Sequence, residues 1–187
     1  MSRLQALRVK LFADGADLDG MLQMAANPLI RGFTTNPTLM RKAGVEDYEA
    51  FARRVLAAIP DRPVSLEVFA DDFGEMMRQA RVIATWGPNV NVKIPVTNTA
   101  REFSGPVIRQ LSHEGIALNV TAILTVDQVP NIVEHTERAG TFRASHPRRI
   151  QAAEQRLERR GRTSQGVYRQ IEIEVHRGAN VAAVMSA

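Results

Sequence analysis

Short apolar runs alternate with stretches of helical periodicity along the first three-quarters of the chain. In the helical stretches, apolar residues recur every three or four positions, as they do at Tyr48, Phe51, Val55 and Ile59. This order predicts β/α units around a parallel sheet, with the apolar stripes of the helices forming the core. The five predicted strands lie near residues 8–14 and in the segments GFTTN, VSLEVF, NVNVKIPV and IALNVTAI.

The repeat stops near residue 140. Five units of roughly 26 residues each occupy residues 1–141, and a closed eight-unit barrel of the usual ~250 residues would need about 70 more. Residues 142–187 differ: HPRRIQAAEQRLERRGR predicts an arginine-rich helix, and QIEIEV alternates strictly, which predicts a half-exposed strand. We therefore expect an α/β fold of the (β/α)8 TIM-barrel type with its first five units present, followed by a divergent C-terminal segment, so that the barrel need not close.

Polar side chains recur near the carboxyl end of each predicted strand. Residues two apart in a strand share a face, so every strand has one apolar face and one face that is polar toward its end. If the apolar faces meet the helices, the polar ones converge at the C-terminal mouth of a barrel, where such folds keep their chemistry. The alternative is a one-sided sheet with these residues in solvent, or core polar groups with satisfied hydrogen bonds. Five strands with the same polarity favour a site made of Asp14, Thr34, Asn36, Glu67, Lys93, Asn119 and Thr121.

Lys93 interrupts a strand that is otherwise typical of a buried one. The chain has only three lysines among its 24 basic residues, so a lysine at this position is unusual for this chain. A lysine is costly to bury among apolar side chains. Desolvation pushes a buried amine toward its neutral form, which can attack a carbonyl carbon and form a Schiff base. Lys93 is therefore the candidate nucleophile.

The remaining candidates fit the same chemistry. Asp14, at the end of the first strand, is the candidate carboxylate for proton transfer during C–C cleavage. Glu67 and the Thr121 hydroxyl are a suitable pair to manage the water of imine formation and hydrolysis. Amides donate and accept hydrogen bonds without titrating, so we expect Asn36 and Asn119 to bind substrate hydroxyls. Thr34 lies on the same face as Asn36 and is a further substrate-binding candidate.

Composition narrows the other possibilities. The chain has no cysteine, and its four histidines lack ligand spacing, so no metal site is predicted. No stretch approaches the roughly 20 apolar residues of a membrane span, and the N-terminus does not resemble a signal peptide. We expect a cytoplasmic protein with no membrane partner.

The net charge of +4 raises the possibility of nucleic-acid binding. However, nine arginines lie within residues 142–187, so the basic excess belongs to the C-terminal segment. That segment lacks aromatic residues interleaved with the arginines, apart from Phe142 and Tyr168. Nucleic-acid binding is therefore the least favoured of the functions considered.

Five motifs in order carry a resemblance to a known family. They are KLFADGADLDGM, GFTTNPTLM, SLEVFADD, NVKIPVTNT and LNVTAILT. Over residues of about 8–140 only, the chain resembles the transaldolase family, particularly its short members close to fructose-6-phosphate aldolase. The resemblance implies a (β/α)8 barrel, a Schiff-base lysine at Lys93, proton transfer by Asp14, and Glu67 with Thr121 around a catalytic water.

The same resemblance implies a reaction. Members of the family transfer a dihydroxyacetone unit between phosphosugars in the non-oxidative pentose phosphate pathway, with neither a metal nor an organic cofactor. Transaldolases carry a glutamate at the position of Glu67, whereas the aldolase relatives carry glutamine. Transfer is therefore favoured over aldolase-type cleavage of fructose 6-phosphate, and a phosphosugar is the expected partner.

The likeness ends after residue 141. Family members continue with a strand ending in a Val-Phe-Ala-Gly-Arg-like segment, whose arginine binds phosphate, and later with a Trp-Ala-Ser-like strand; neither is found here. One hypothesis is a reading-frame shift near codon 141, which translation of the other two frames would test. A five-unit sheet that does not close leaves two parallel edges, so we expect pairing with copies of the chain or aggregation. An inactive, truncated or frameshifted family member is the alternative to a working enzyme.

Overall fold

The computed structural model describes residues 10–125 and 128–136, together with the backbone of two further strands at 171–175 and 181–185. In chain order the elements are β1 Leu11–Asp14, α1 Leu18–Ala25, β2 Ile30–Thr34, α2 Pro37–Lys42, α3 Tyr48–Ala58, β3 Val64–Glu67, α4 Phe73–Ala84, β4 Val90–Pro95, α5 Gly105–His113, β5 Leu118–Ile123, α6 Gln128–Thr136, β6 Ile171–Val175 and β7 Val181–Met185. The predicted arginine-rich helix falls outside the described residues.

The strands form one curled sheet in the order β1 to β7. The first five are parallel to their neighbours and alternate with helices, which confirms the predicted partial TIM barrel. The strand predicted from QIEIEV is also confirmed as β6, which runs antiparallel to β5 and pairs with β7. The expectation of a free edge at β5 was therefore wrong, because β6 hydrogen-bonds to it. Curling brings Cα atoms of β1 and β7 within 8 Å of each other.

The helices cover the apolar face of the sheet. Side chains from the outer face of the strands and from the inner faces of the helices form one cluster of buried hydrophobic residues. The apolar faces of the strands therefore lie against the helices, as the alternation in the sequence predicts. Fully buried members from the two layers include Phe33, Leu66, Val92 and Val120 on the strands, and Val55, Met76, Ile108 and Ile132 on the helices.

Helix α2 was not predicted from the sequence. It begins after Asn36, whose side-chain oxygen accepts a hydrogen bond from the Leu39 N–H at 3.0 Å, and Pro37 occupies its first turn. Asparagine followed by proline is a common helix start, but six residues are too few to show a helical period. None of the helices in the described part of the chain has the length and hydropathy needed to cross a membrane.

Gly32 allows the Phe12 ring to pack against the sheet. The two residues are paired in register between β1 and β2, and a Cβ atom at position 32 would overlap the ring of Phe12, which is 6% exposed. We expect Gly32→Ala to lower the free energy of unfolding by about 1–3 kcal/mol, the usual cost of overpacking. Urea denaturation measures this loss.

A double-mutant cycle tests the cause of the Gly32→Ala loss. Phe12→Leu removes Cε1 and Cζ, two of the three ring atoms that a Cβ at position 32 would overlap, so the two substitutions together should cost less than the sum of their separate effects. Strictly additive costs would show that the Phe12 ring is not the obstacle.

Candidate active site

The polar side chains of the strands lie in two rows on the inner face of the sheet. Residues paired between neighbouring parallel strands face the same side, so register shows which side chains are neighbours. The lower row is Asp14, Thr34, Ser65 and Asn91, and the upper row is Glu67, Lys93 and Asn119. Thr121 follows Asn119 two residues later on β5, at the same end of the sheet.

Lys93 is buried in the upper row. The residue is 2% exposed, its Nζ lies 3.5 Å from Glu67 Oε2, and it donates a hydrogen bond of 3.4 Å to the Thr35 carbonyl oxygen. The Glu67 side chain is 20% exposed, so one end of the ion pair reaches solvent. Such a buried amine can act as a nucleophile once it has given up a proton, and the Glu67 carboxylate is close enough to accept that proton.

Asp14 is oriented by its neighbour. The hydroxyl of the buried Thr34 donates a hydrogen bond of 2.8 Å to Asp14 Oδ1, so the Thr34 hydroxyl already has a protein partner. Asp14 itself is exposed at the end of β1, the first strand of the sheet, which hydrogen-bonds to β2 alone among the described strands. The structure thus brings Asp14 and Thr34 together on the inner face, where β1 and β2 end.

The two predicted amides lie in different surroundings. Asn119 is fully buried, and its Nδ2 donates a hydrogen bond of 3.0 Å to Ser65 Oγ across the intervening strand β4. Asn36 is half-buried, and its Oδ1 accepts the capping hydrogen bond at the start of α2. Its Nδ2 group can therefore donate to a different partner. Asn119 therefore belongs to the inner rows, whereas Asn36 lies at the rim where β2 ends.

Thr121 lies beside an irregularity in β5. It is buried, and the next residue, Ala122, has a φ of 60° at a register shift between Val120 and Ile123. One extra residue in a strand bends it and redirects the neighbouring side chains, and such bulges are frequent beside active sites. The local backbone at Thr121 is thus set by this bulge.

A hydrogen-bonded link fixes the two loops that follow Glu67 and Lys93. The Asp71 carboxylate accepts hydrogen bonds from the Thr99 N–H at 2.8 Å and from its hydroxyl at 2.6 Å. Both hydrogen bonds lower the pKa of Asp71, and the bond from the Thr99 hydroxyl has the larger effect. The loop after β4 is also closed on itself by a bridge between Thr97 and Phe103.

Sequence reasoning missed three contributors to the site. Ser65 and Asn91 are buried in the lower row, and Ser65 contacts Asn119 directly. Both lie on the polar face that alternation predicts, so that pattern could have identified them. The third is the Thr35 carbonyl that accepts from Lys93, and a main-chain group leaves no mark in the sequence.

Comparison with known proteins gives a family match over most of the chain. The model of the family described as Transaldolase/Fructose-6-phosphate aldolase matches residues 11–168. The match begins at β1 and runs past residue 140, where the resemblance carried by the five motifs ends. It includes all seven of the predicted site residues.

Curated relatives agree with this match. The chain is 39% identical over 120 residues to a "Probable transaldolase" of Dehalococcoides mccartyi, covering 64% of this chain and 54% of that protein. It is 38% identical over 120 residues to "Probable transaldolase 2" of Listeria monocytogenes and 41% identical over 120 residues to a "Probable transaldolase" of Streptococcus agalactiae. These alignments cover 64% of this chain and 52% and 53% of the two relatives, so it spans about half the length of the relatives it matches. The chain belongs to the transaldolase/fructose-6-phosphate aldolase family.

Proposed function

We propose that this chain transfers a dihydroxyacetone unit from a ketose phosphate to an aldose phosphate through a Schiff base on Lys93. The observation that carries this proposal is the buried Lys93 amine 3.5 Å from the Glu67 carboxylate, on an inner face lined with polar side chains. The family match and the names of the relatives support the same chemistry. Glutamate rather than glutamine at position 67 favours transfer over simple cleavage.

Imine formation is the first part of the proposed mechanism. Lys93 first gives a proton to Glu67, and the neutral amine then adds to the C2 carbonyl of the ketose. The two remaining amine protons leave with the carbonyl oxygen as one water, and the imine takes up the proton held by Glu67. Glu67 and the Thr121 hydroxyl hold this water as it departs, and the same pair positions the water that later hydrolyses the imine. The partly exposed Glu67 side chain gives this water a route to solvent.

Carbon–carbon cleavage and transfer follow. Asp14 takes the proton of the C4 hydroxyl while the C3–C4 bond breaks, its electron pair passes to the iminium nitrogen, and an aldose phosphate leaves. The resulting enamine adds to the carbonyl carbon of the acceptor aldose phosphate, whose oxygen takes the proton back from Asp14. Asn36 and Asn119 bind hydroxyl groups of the sugar in this proposal, and the Thr34 hydroxyl, which donates its proton to Asp14, accepts a hydrogen bond from a further one.

The dependence on an acceptor distinguishes transfer from cleavage. The full chain is incubated with fructose 6-phosphate, with and without a second aldose phosphate, and the products are separated by chromatography. We expect a new ketose phosphate only when the acceptor is present. Release of free dihydroxyacetone without an acceptor would instead indicate aldolase-type cleavage. Absence of both turnover and a borohydride-trapped adduct would indicate an inactive member of the family.

A further inference from the structure

Tyr48, at the start of α3, contacts the end of the strand that carries Glu67. Its hydroxyl donates a hydrogen bond of 3.1 Å to the main-chain carbonyl oxygen of Glu67. Its ring packs edge-on against Phe69 and Trp86, with centroid distances of 4.9 and 5.0 Å. Burial raises the pKa of the Tyr48 phenol, and the negative charge of Glu67 raises it further, so the hydroxyl remains a donor.

Glu67 is the last residue of β3, and the N–H side of its peptide group, the Val68 N–H, donates a hydrogen bond of 3.2 Å to the Lys93 carbonyl oxygen. Beyond it, the Gln79 side-chain oxygen accepts hydrogen bonds from the Phe69 and Ala70 N–H groups, at 2.8 and 3.0 Å, which attaches the following loop to α4. The Tyr48 hydroxyl acts one step earlier, on the peptide group of Glu67 itself. The strand end is thus held by hydrogen bonds to β4, α3 and α4.

We infer that Tyr48 is a positioning residue that keeps the Glu67 carboxylate beside Lys93. This inference rests on the proposed role of Glu67 in imine formation. The hydroxyl holds the C=O side of the Glu67 peptide group, while the N–H side is bonded to Lys93. Together the two bonds fix the plane of this group, and that plane affects where the side chain begins and how close its carboxylate lies to the Lys93 Nζ. A displacement of about 1 Å in a catalytic group can cost on the order of 100-fold in rate.

Tyr48→Phe tests the inference, because it removes the hydroxyl and keeps the ring packed against Phe69 and Trp86. The measurement is borohydride trapping of fructose 6-phosphate on the full chain, recorded as a final amplitude and a rate. The amplitude counts the intact sites, whereas the rate reports the chemistry at each site. We expect an unchanged amplitude, an unchanged half-saturating ketose concentration, and a rate between about 10-fold and 100-fold lower.

A matched control removes a similar bond elsewhere. The Thr85 hydroxyl donates a hydrogen bond of 2.7 Å to the Val82 carbonyl oxygen at the C-terminal end of α4. Thr85→Val removes that hydroxyl with little change in shape, so it should leave both the amplitude and the rate unchanged. A fall in amplitude alone in Tyr48→Phe would indicate a purely structural role and overturn the inference.

Coupling to Glu67 gives the decisive comparison. If Tyr48 acts through Glu67, the double variant Tyr48→Phe with Glu67→Gln should trap no more slowly than Glu67→Gln alone. Independent, multiplying losses would overturn the inference, as would a Tyr48→Phe rate equal to that of the native chain. Failure of the native chain to trap any ketose would overturn the proposed function instead, and with it the inference.

Discussion

Lys93→Met is expected to abolish the borohydride-trapped adduct with fructose 6-phosphate. The proposed reaction requires a primary amine at this position, and methionine supplies a side chain of similar length with no nucleophilic nitrogen. Removing one partner of an ion pair is costly where the other charge is left buried, so the tolerance of the fold for this change depends on the exposure of Glu67. Glu67 keeps access to solvent, so its carboxylate is not left as an isolated buried charge.

The small number of lysines makes the Lys93→Met experiment easy to interpret. Lys10 and Lys42 are the chain's other two lysines, so Lys10→Met and Lys42→Met are matched controls that should trap the ketose as the native chain does. Peptide mapping then locates the adduct. An adduct that persists in Lys93→Met, on Lys10 or Lys42, would contradict the assignment of the nucleophile.

Asp14→Asn is expected to separate adduct formation from cleavage. Asparagine keeps the shape of the carboxylate and can still accept the hydrogen bond from Thr34, but it cannot take the proton of the C4 hydroxyl. Loss of a general base typically costs about 10²-fold to 10⁴-fold in rate. The imine with Lys93 should still form, so trapping should persist while product release, followed by chromatography, falls by that factor.

Two further substitutions control for Asp14→Asn. Asp19 is an exposed carboxylate in the first turn of α1, and Asp19→Asn should leave the cleavage rate unchanged. Thr34→Val removes the hydrogen bond that orients Asp14, so it should give a smaller loss than Asp14→Asn. A cleavage rate in Asp14→Asn equal to that of the native chain would exclude Asp14 as the base and transfer that role to another group.

The fold was predictable where the signal is local. The five strands and the longer helices follow from periods of about two and 3.6 residues, which any segment carries in its own sequence. The short helix α2 escaped prediction because six residues cannot display a helical period. Strand β6 was predicted from its alternation, but its antiparallel pairing with β5 was not, since pairing partners are distant in the chain.

The site was predictable only in part for the same reason. Alternation correctly indicates which side chains share the inner face, because that follows from the geometry of a single strand. It cannot indicate which of them touch. The hydrogen bonds of Lys93 with Thr35 and of Asn119 with Ser65 join residues 58 and 54 positions apart, so they depend on register and curling.

The sequence by itself determined the family resemblance, the parallel β/α order and the set of polar residues that face inward. Only the tertiary structure decided how deeply each of them is buried and what it contacts: Lys93 is buried beside Glu67, Asp14 is exposed at the first strand, and the Thr34 hydroxyl donates to Asp14. Side-chain direction is fixed within one strand, whereas burial and contact depend on how distant strands align and on where the sheet ends.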